Sequence, residues 1–153
     1  MCWGLKMEAK LATFQTSLRE KGYKLTLQRM AIFEAMHNGT KHPTAEDVYN
    51  EVSKSFPMIG LSTVYNTLET LCDLGMVDKL NLNSTGARYD FTSEPHAHLV
   101  CLGCGKIVDD SSLHCALCRN KAEQESGFKL LRHSATFYGY CGKCLNENPE
   151  INL

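Results

Sequence analysis

Four times between Glu8 and Gly75 apolar residues return at three- and four-residue spacing, the period of one helix face. "KLATFQTSLREKG" does so with Leu11, Phe14 and Leu18 and stops at Gly22, and "TLQRMAIFEAMHNG" with Met30, Phe33 and Met36 before Gly39. "HPTAEDVYNEVSKSF" opens with Pro43 and Thr44 ahead of Glu46 and Asp47, a good helix start, and lines up Val48, Tyr49, Val52 and Phe56. "GLSTVYNTLETLCDLG" offers Ser62 or Thr63 as a cap, then Val64, Leu68, Leu71 and Leu74, and ends at Gly75. The period then falls to two, because "MVDKLNL" and "ARYDF" alternate on either side of "NSTG", which predicts a β-hairpin. Helices followed by a hairpin over residues 1–91 predict a winged helix-turn-helix domain.

Residues 92–95, "TSEP", are polar and end in proline, a hinge pattern. Beyond them, "HAHLVCL" and "KIVDD" predict short strands, "SLHCALCRNKAEQESG" a helix closed by Gly127, and "FKLLRHSATFYGYC" a longer strand. The chain is therefore α+β, with a small α+β domain over residues 96–153. A domain of that size generally needs a structural metal or oligomerisation. The segment "HSATFYGYC", with Phe137, Tyr138 and Tyr140, suits a dimer surface or plain core.

Composition narrows the class without naming it. The 153 residues carry 16 Lys and Arg against 17 Asp and Glu, a net charge of -1, so bulk charge favours neither nucleic acid nor a membrane surface. Phosphate attraction must come from local placement, for which Arg19, Lys21, Lys24 and Arg29 provide a basic cluster interrupted only by Glu20. No apolar run reaches the length of a membrane span, and "MCWGLKMEAK" lacks the apolar centre of a signal peptide, so a cytoplasmic protein with no membrane partner is expected. Eight cysteines, six of them after residue 100, then read as metal ligands or redox centres, not disulfides.

Three C-x-x-C pairs occur, at Cys101/Cys104, Cys115/Cys118 and Cys141/Cys144. Two such pairs make a closed tetrahedral zinc site. The glycines in Cys104-Gly105-Lys106 and Cys141-Gly142-Lys143-Cys144 permit a knuckle whose N–H groups approach thiolate sulfur. Cys115/Cys118 falls in a helical stretch without glycine. Structural zinc is accordingly expected at Cys101, Cys104, Cys141 and Cys144, with redox dithiols or spare thiols as the other readings. Cys115 and Cys118 read as half-buried helix thiols, and His114 beside them leaves an auxiliary site open.

His96 and His98 sit two apart and share one strand face, while Cys101 is an odd step away and faces the other side. The stretch "PHAHLVCLGCGKIVDD" can therefore serve two sites. His-x-His on a surface strand is often two solvated side chains, but Asp90 and Asp109 nearby complete a nitrogen and oxygen set that suits iron(II), manganese(II) or zinc. Asp110 reads as a surface residue. On "LSTVYNTLETL" the polar residues Ser62, Thr63, Tyr65, Asn66 and Thr67 can meet base edges and phosphates of double-stranded DNA, or form an ordinary polar face. A metalloenzyme lacks any further acid, base or nucleophile arrangement, and a cysteine redox switch would centre on Cys115 and Cys118.

Taken together, the winged-helix region, the hinge, the run H-x-H-x-x-C-x-x-C-G-K-[IV]-[VI]-[DE] and the late C-x-x-C resemble the ferric uptake regulator (Fur) family of metal-dependent transcriptional repressors. The resemblance spans Leu11 to Cys144 and is most like the peroxide-sensing PerR branch. It implies a regulatory iron or manganese site at His42, Asp90, His96, His98 and Asp109. It also implies a homodimer on a palindromic operator, closed by metal and released when peroxide oxidises His42 or His96 through bound iron. Fur proteins that sense iron tend to carry glutamate where Asp90 and Asp109 stand and arginine where Asn66 stands, and an iron- or zinc-responsive repressor is the alternative reading. Leu27 departs from the proline of the family's "TPQR", and the family's third metal site, which would use His133, lacks its carboxylate here, leaving His133, His37 and His114 as structural or surface histidines.

Overall fold

The computed structural model describes residues 3–39, 41–82, 86–91, 96–113, 116–130 and 134–147. The chain divides into two compact units, Met1–Thr92 and Ser93–Leu153. Unit 1 contains helices α1 (Trp3–Glu20), α2 (Leu27–Asn38), α3 (Ala45–Val52) and α4 (Leu61–Asp73), then strands β1 (Val77–Leu82) and β2 (Gly86–Phe91). The strands pair antiparallel with Val77 opposite Phe91, the wing of a winged helix.

The apolar stripes of the four helices meet in one core that includes Phe14, Leu18, Phe33, Met36, Val48, Val52, Val64, Leu68 and Leu71. Phe14 and Phe33 stack face to face at 4.8 Å, and Phe91 meets Phe33 edge-on. Helix ends follow the chemistry of their termini. Thr44 and Asp47 form a reciprocal capping box on α3. α1 and α4 close on Gly22 and Gly75, whose φ values of 76° and 70° let Tyr23 and Met76 bond back to Leu18 and Leu71.

Unit 2 holds β3 (Ala97–Cys101), β4 (Ile107–Asp110), α5 (Ala116–Ser126), β5 (Ala135–Gly139) and α6 (Gly142–Glu147). Its sheet runs β4-β3-β5, with β3 antiparallel to β4 and parallel to β5.

Several expectations need correction. α1 starts at Trp3, ahead of the periodic segment. The cap of α4 is Gly60, not Ser62 or Thr63, because the Gly60 carbonyl already accepts the N–H groups of Thr63 and Val64. Of the long strand expected over 128–141, the described residues form strand only in β5, with 131–133 outside the described residues. Leu130 donates its N–H to Glu123 at 2.7 Å and gives its carbonyl to Arg119, so side chains of α5 take the place of a strand partner. The expected second knuckle runs into α6, an unforeseen helix. The hinge 92–95 and residues Cys2, His114, Cys115 and His133 lie outside the described residues, as does the side chain of Cys118.

Candidate metal centres and nucleic-acid interface

β3 ends on Cys101, whose carbonyl accepts the Gly105 N–H and whose N–H donates to the Lys106 carbonyl, closing a turn in which Gly105 takes a φ of 69°. The Leu102 N–H donates to Gly139 at 2.7 Å and fastens this turn to the end of β5. Cys141 follows β5, and Cys144 lies one turn into α6. The sulfurs of Cys101, Cys104, Cys141 and Cys144 all lie within 4.8 Å of one another, and Cys104 and Cys141 are 3.8 Å apart. Bonds of about 2.3 Å to a tetrahedral zinc give sulfur–sulfur edges of about 3.8 Å. One edge matches this value and the rest lie within an ångström of it, so the four donors suit zinc.

The backbone supports this. The Cys141 N–H reaches Cys101 Sγ at 3.2 Å, and N–H groups of Cys141, Cys104 and Gly103 bring the Cys101 thiol down to about 6. Cys144, beside the Cys141 sulfur and with its remaining sulfur neighbours, is pushed up to about 12. One thiolate is stabilised by the turn, and a second next to it needs a cation. Of the glycines expected to shape the knuckles, Gly105 does so, whereas Gly142 has neither a left-handed φ nor a close neighbour. The residue with no room is Gly103, where an added Cβ would sit 3.0 Å from Cys144 Sγ.

On the same strand, His98 lies directly opposite Asp109 of β4, so both side chains share one face of the sheet. His98 Nδ1 is 3.3 Å and His96 Nε2 3.8 Å from Asp109 Oδ1, and the two imidazoles meet edge-to-face at 4.5 Å. His98 is only 2% exposed, which removes the reading of a solvated pair. These separations approach the donor–donor edges of about 3.4 Å around an ion with bonds near 2.1 Å. Asp110 faces elsewhere: it accepts the Ser112 N–H at 2.7 Å, and Ser112 holds its carboxyl below the usual range. Asp109 is thus the aspartate beside the histidines.

Unit 1 carries a matching half-set. His42 is buried with a φ of 55°, a costly conformation for a residue with a Cβ. Arg88 holds its carbonyl at 3.1 Å, and the Tyr89 N–H donates to Pro43 at 2.9 Å. This stitches the loop to β2 and leaves His42 Nε2 3.6 Å from Asp90 Oδ1. No pattern in the sequence marked Arg88 as the residue that holds this turn.

The candidate DNA face is narrower than expected. Leu61, Ser62, Tyr65, Asn66 and Glu69 form the exposed stripe of α4, with Thr63 at its margin. Thr67 is 1% exposed and donates its hydroxyl to the Thr63 carbonyl, so contrary to expectation it belongs to the core and cannot touch DNA. Tyr65 is 39% exposed with its hydroxyl bonded to Glu46. Two of the four basic residues serve the fold: Lys21 caps the Asp73 carbonyl, and Arg29 bonds the Lys24 carbonyl and covers the Tyr23 ring. Arg19 and Lys24 remain exposed. Burial pushes the Cys72 thiol up to about 11, which makes it a poor nucleophile.

A winged helix with a polar reading stripe, in one chain with a tetrathiol cluster and histidine–aspartate half-sets, defines a metal-responsive DNA-binding regulator. The sequence model of the ferric uptake regulator family matches residues 20–138, and the chain belongs to that family. Fur-family proteins are transcriptional regulators that bind DNA as dimers, not enzymes. The peroxide-responsive repressor PerR of Staphylococcus aureus is 34% identical over 138 residues, covering 90% of this chain and 93% of that protein. Among solved structures, the peroxide stress regulator of Campylobacter jejuni is 26% identical with a TM-score of 0.68, covering 94% of this chain and 99% of that one. The ferric uptake regulator of Pseudomonas aeruginosa, solved with manganese, is also 26% identical, with a TM-score of 0.69 and coverage of 84% and 97%. No described helix is long and apolar enough to cross a membrane.

Proposed function

We propose that this chain is a homodimeric, metal-dependent repressor that responds to peroxide. The observation that carries the reading is the donor set: three histidines and two aspartates held in prepared half-sets, in a chain whose similarity to a PerR protein extends over nine-tenths of its length. Cys101, Cys104, Cys141 and Cys144 hold a structural zinc, which completes a unit with a small apolar core. His42 and Asp90 from unit 1, with His96, His98 and Asp109 from unit 2, bind one regulatory iron(II) or manganese(II). Ligation by both half-sets selects the domain arrangement that fits DNA, a population shift as large as the difference in metal affinity between arrangements. Residues 92–95 act as the hinge between domains 1–91 and 96–153.

Exposed Phe137 and Tyr138 on the edge strand β5 contribute to the dimer face. In the dimer, two copies of α4 read a palindromic operator with Ser62, Thr63, Tyr65 and Asn66, while Arg19 and Lys24 meet phosphates. Iron(II) held by these residues would activate peroxide, which oxidises the imidazole of His42 or His96 by two electrons, one peroxide oxygen entering the ring and the other leaving as water. That histidine then loses its donor capacity and the half-sets separate.

The test is operator binding by iron-loaded and manganese-loaded protein, before and after peroxide, with mass analysis of the histidine peptides. The expected result is loss of binding in the iron form alone, with one oxygen added to His42 or His96. Iron-loaded protein that keeps its operator and gains no oxygen refutes peroxide sensing and leaves a regulator of metal supply, the class of the similar manganese-bound Pseudomonas structure.

A further inference from the structure

The exposed stripe of α4 includes one carboxylate, Glu69, and meets a second, Glu46, from α3. Glu69 is neutralised by Lys79 Nζ at 2.6 Å. Glu46, in the first turn of α3, instead accepts the hydroxyl of Tyr65 at 2.7 Å across nineteen residues of chain. A carboxylate beside a DNA-reading helix is repelled by phosphate and weakens binding to every sequence alike. The bond from Tyr65, and then a backbone N–H at the start of α3, hold its carboxyl below the usual range. The bond also fixes the direction of an exposed ring that would otherwise sample several rotamers.

We propose that Glu46 is a positioning residue for base recognition: by holding the Tyr65 hydroxyl it aims the ring edge at one base pair of each half-site and sets the preference there. With the hydroxyl donated to Glu46, what Tyr65 offers DNA is apolar ring surface, which suits the C5 methyl of thymine. The proposal rests on α4 being the reading helix.

Acceptor and charge are separable. Glu46→Gln keeps the acceptor oxygen and removes the charge, Glu46→Ala removes both, and Tyr65→Phe keeps the ring and removes the donor. Metal-loaded full-length protein is used to select from a randomised duplex DNA library, and the bound fraction is sequenced. Tyr65→Ala identifies the base pair that depends on the ring. At that pair alone, Glu46→Ala and Tyr65→Phe are expected to lower discrimination about five- to tenfold. Glu46→Gln should keep the wild-type preference and tighten binding to all sequences about twofold at low salt. Wild-type preference in Glu46→Ala at the Tyr65-dependent pair overturns the proposal while leaving α4 as the reader. A selected site in which no pair depends on Tyr65 or Asn66 overturns both. Should Glu46→Ala fail to fold, Tyr65→Phe carries the same comparison.

Discussion

Among the described residues of unit 1, fourteen apolar side chains are buried in one cluster contributed by all four helices and the wing. Among the described residues of unit 2, full burial is reached by Ala97, His98, Val100, Cys101 and Cys144, and three of these five carry metal-binding chemistry. Water is excluded from the first unit by hydrocarbon and from the second largely by groups that want an ion. The same chain therefore uses two kinds of adhesive, mainly hydrocarbon in the first core and metal-binding groups in the second. The division predicts that α4 stays folded whether or not metal is bound.

Removing the zinc breaks the comparison most directly. Structural zinc sites contribute apparent binding energies of about 10–16 kcal/mol, more than the net stability of a small domain. Chelation, or Cys144→Ala, is expected to abolish amide-exchange protection in β3, β4 and β5 while α2 and α4 keep theirs. Persisting protection in β3 after the metal is gone would show that unit 2 has a sufficient core of its own. The converse experiment is Phe33→Ala, which removes a ring stacked on Phe14 in a fully buried position and should cost unit 1 about 3–5 kcal/mol. Unit 1 then melts earlier, with zinc retained at one per chain; zinc lost in parallel would show that the units depend on each other.

The same division explains what could be read from sequence. Unit 1 was legible because its helices are specified by apolar spacing, and Phe14, Phe33, Val48, Val64 and Leu71 all lie in the core that the period predicts. In unit 2 period-two alternation alone separates His96 and His98 from Cys101, because it is a property of every strand. Contacts made between side chains and backbone far apart in sequence were not legible. Leu130 finds its partners in Arg119 and Glu123, so residues 128–130, which read as strand, are not one. Thr67 is neither apolar nor charged, and its burial depends on a bond to Thr63 that polarity alone does not announce. Nothing in the spacing of Glu46 and Tyr65 links them either.

Gly103 sharpens the comparison at single-atom scale. Between two cysteines it looks like one more flexible turn residue, but an added Cβ would meet Cys144 at 3.0 Å from Sγ and 3.1 Å from Cβ. Gly103→Ala therefore displaces Cys144 by a few tenths of an ångström, beyond the roughly 0.2 Å that metal–ligand distances tolerate. Zinc affinity should fall about 10- to 100-fold in competition with a chromogenic chelator. An equal-affinity result would mean that α6 moves freely and that the ion, not the turn, sets its place. Gly142→Ala, where a Cβ meets nothing within 4 Å, is the matched control and should bind zinc as the wild type does.

The smallest effect is expected where unit 1 uses charge instead of hydrocarbon. Asp47 accepts the Thr44 N–H at 2.9 Å, and this bond, then the Thr44 hydroxyl, holds its carboxyl below its ordinary value of 3.8. A carboxyl depressed by folding favours the folded state when ionised, so its contribution is complete above the ordinary value and disappears as pH falls through the lower folded value. Asp47→Asn keeps the shape of the capping box and removes the charge, so it should cost about 0.5–1 kcal/mol at neutral pH. Because Asp47 is largely exposed, solvent screening keeps the effect at that size. The gap between variant and wild type should close as the pH drops below the ordinary value. Acid release of zinc from unit 2 is common to both proteins and cancels in the difference. A gap in melting temperature that stays constant from pH 7 to acid would mean that the box acts through shape alone, and that charge has no part in holding unit 1.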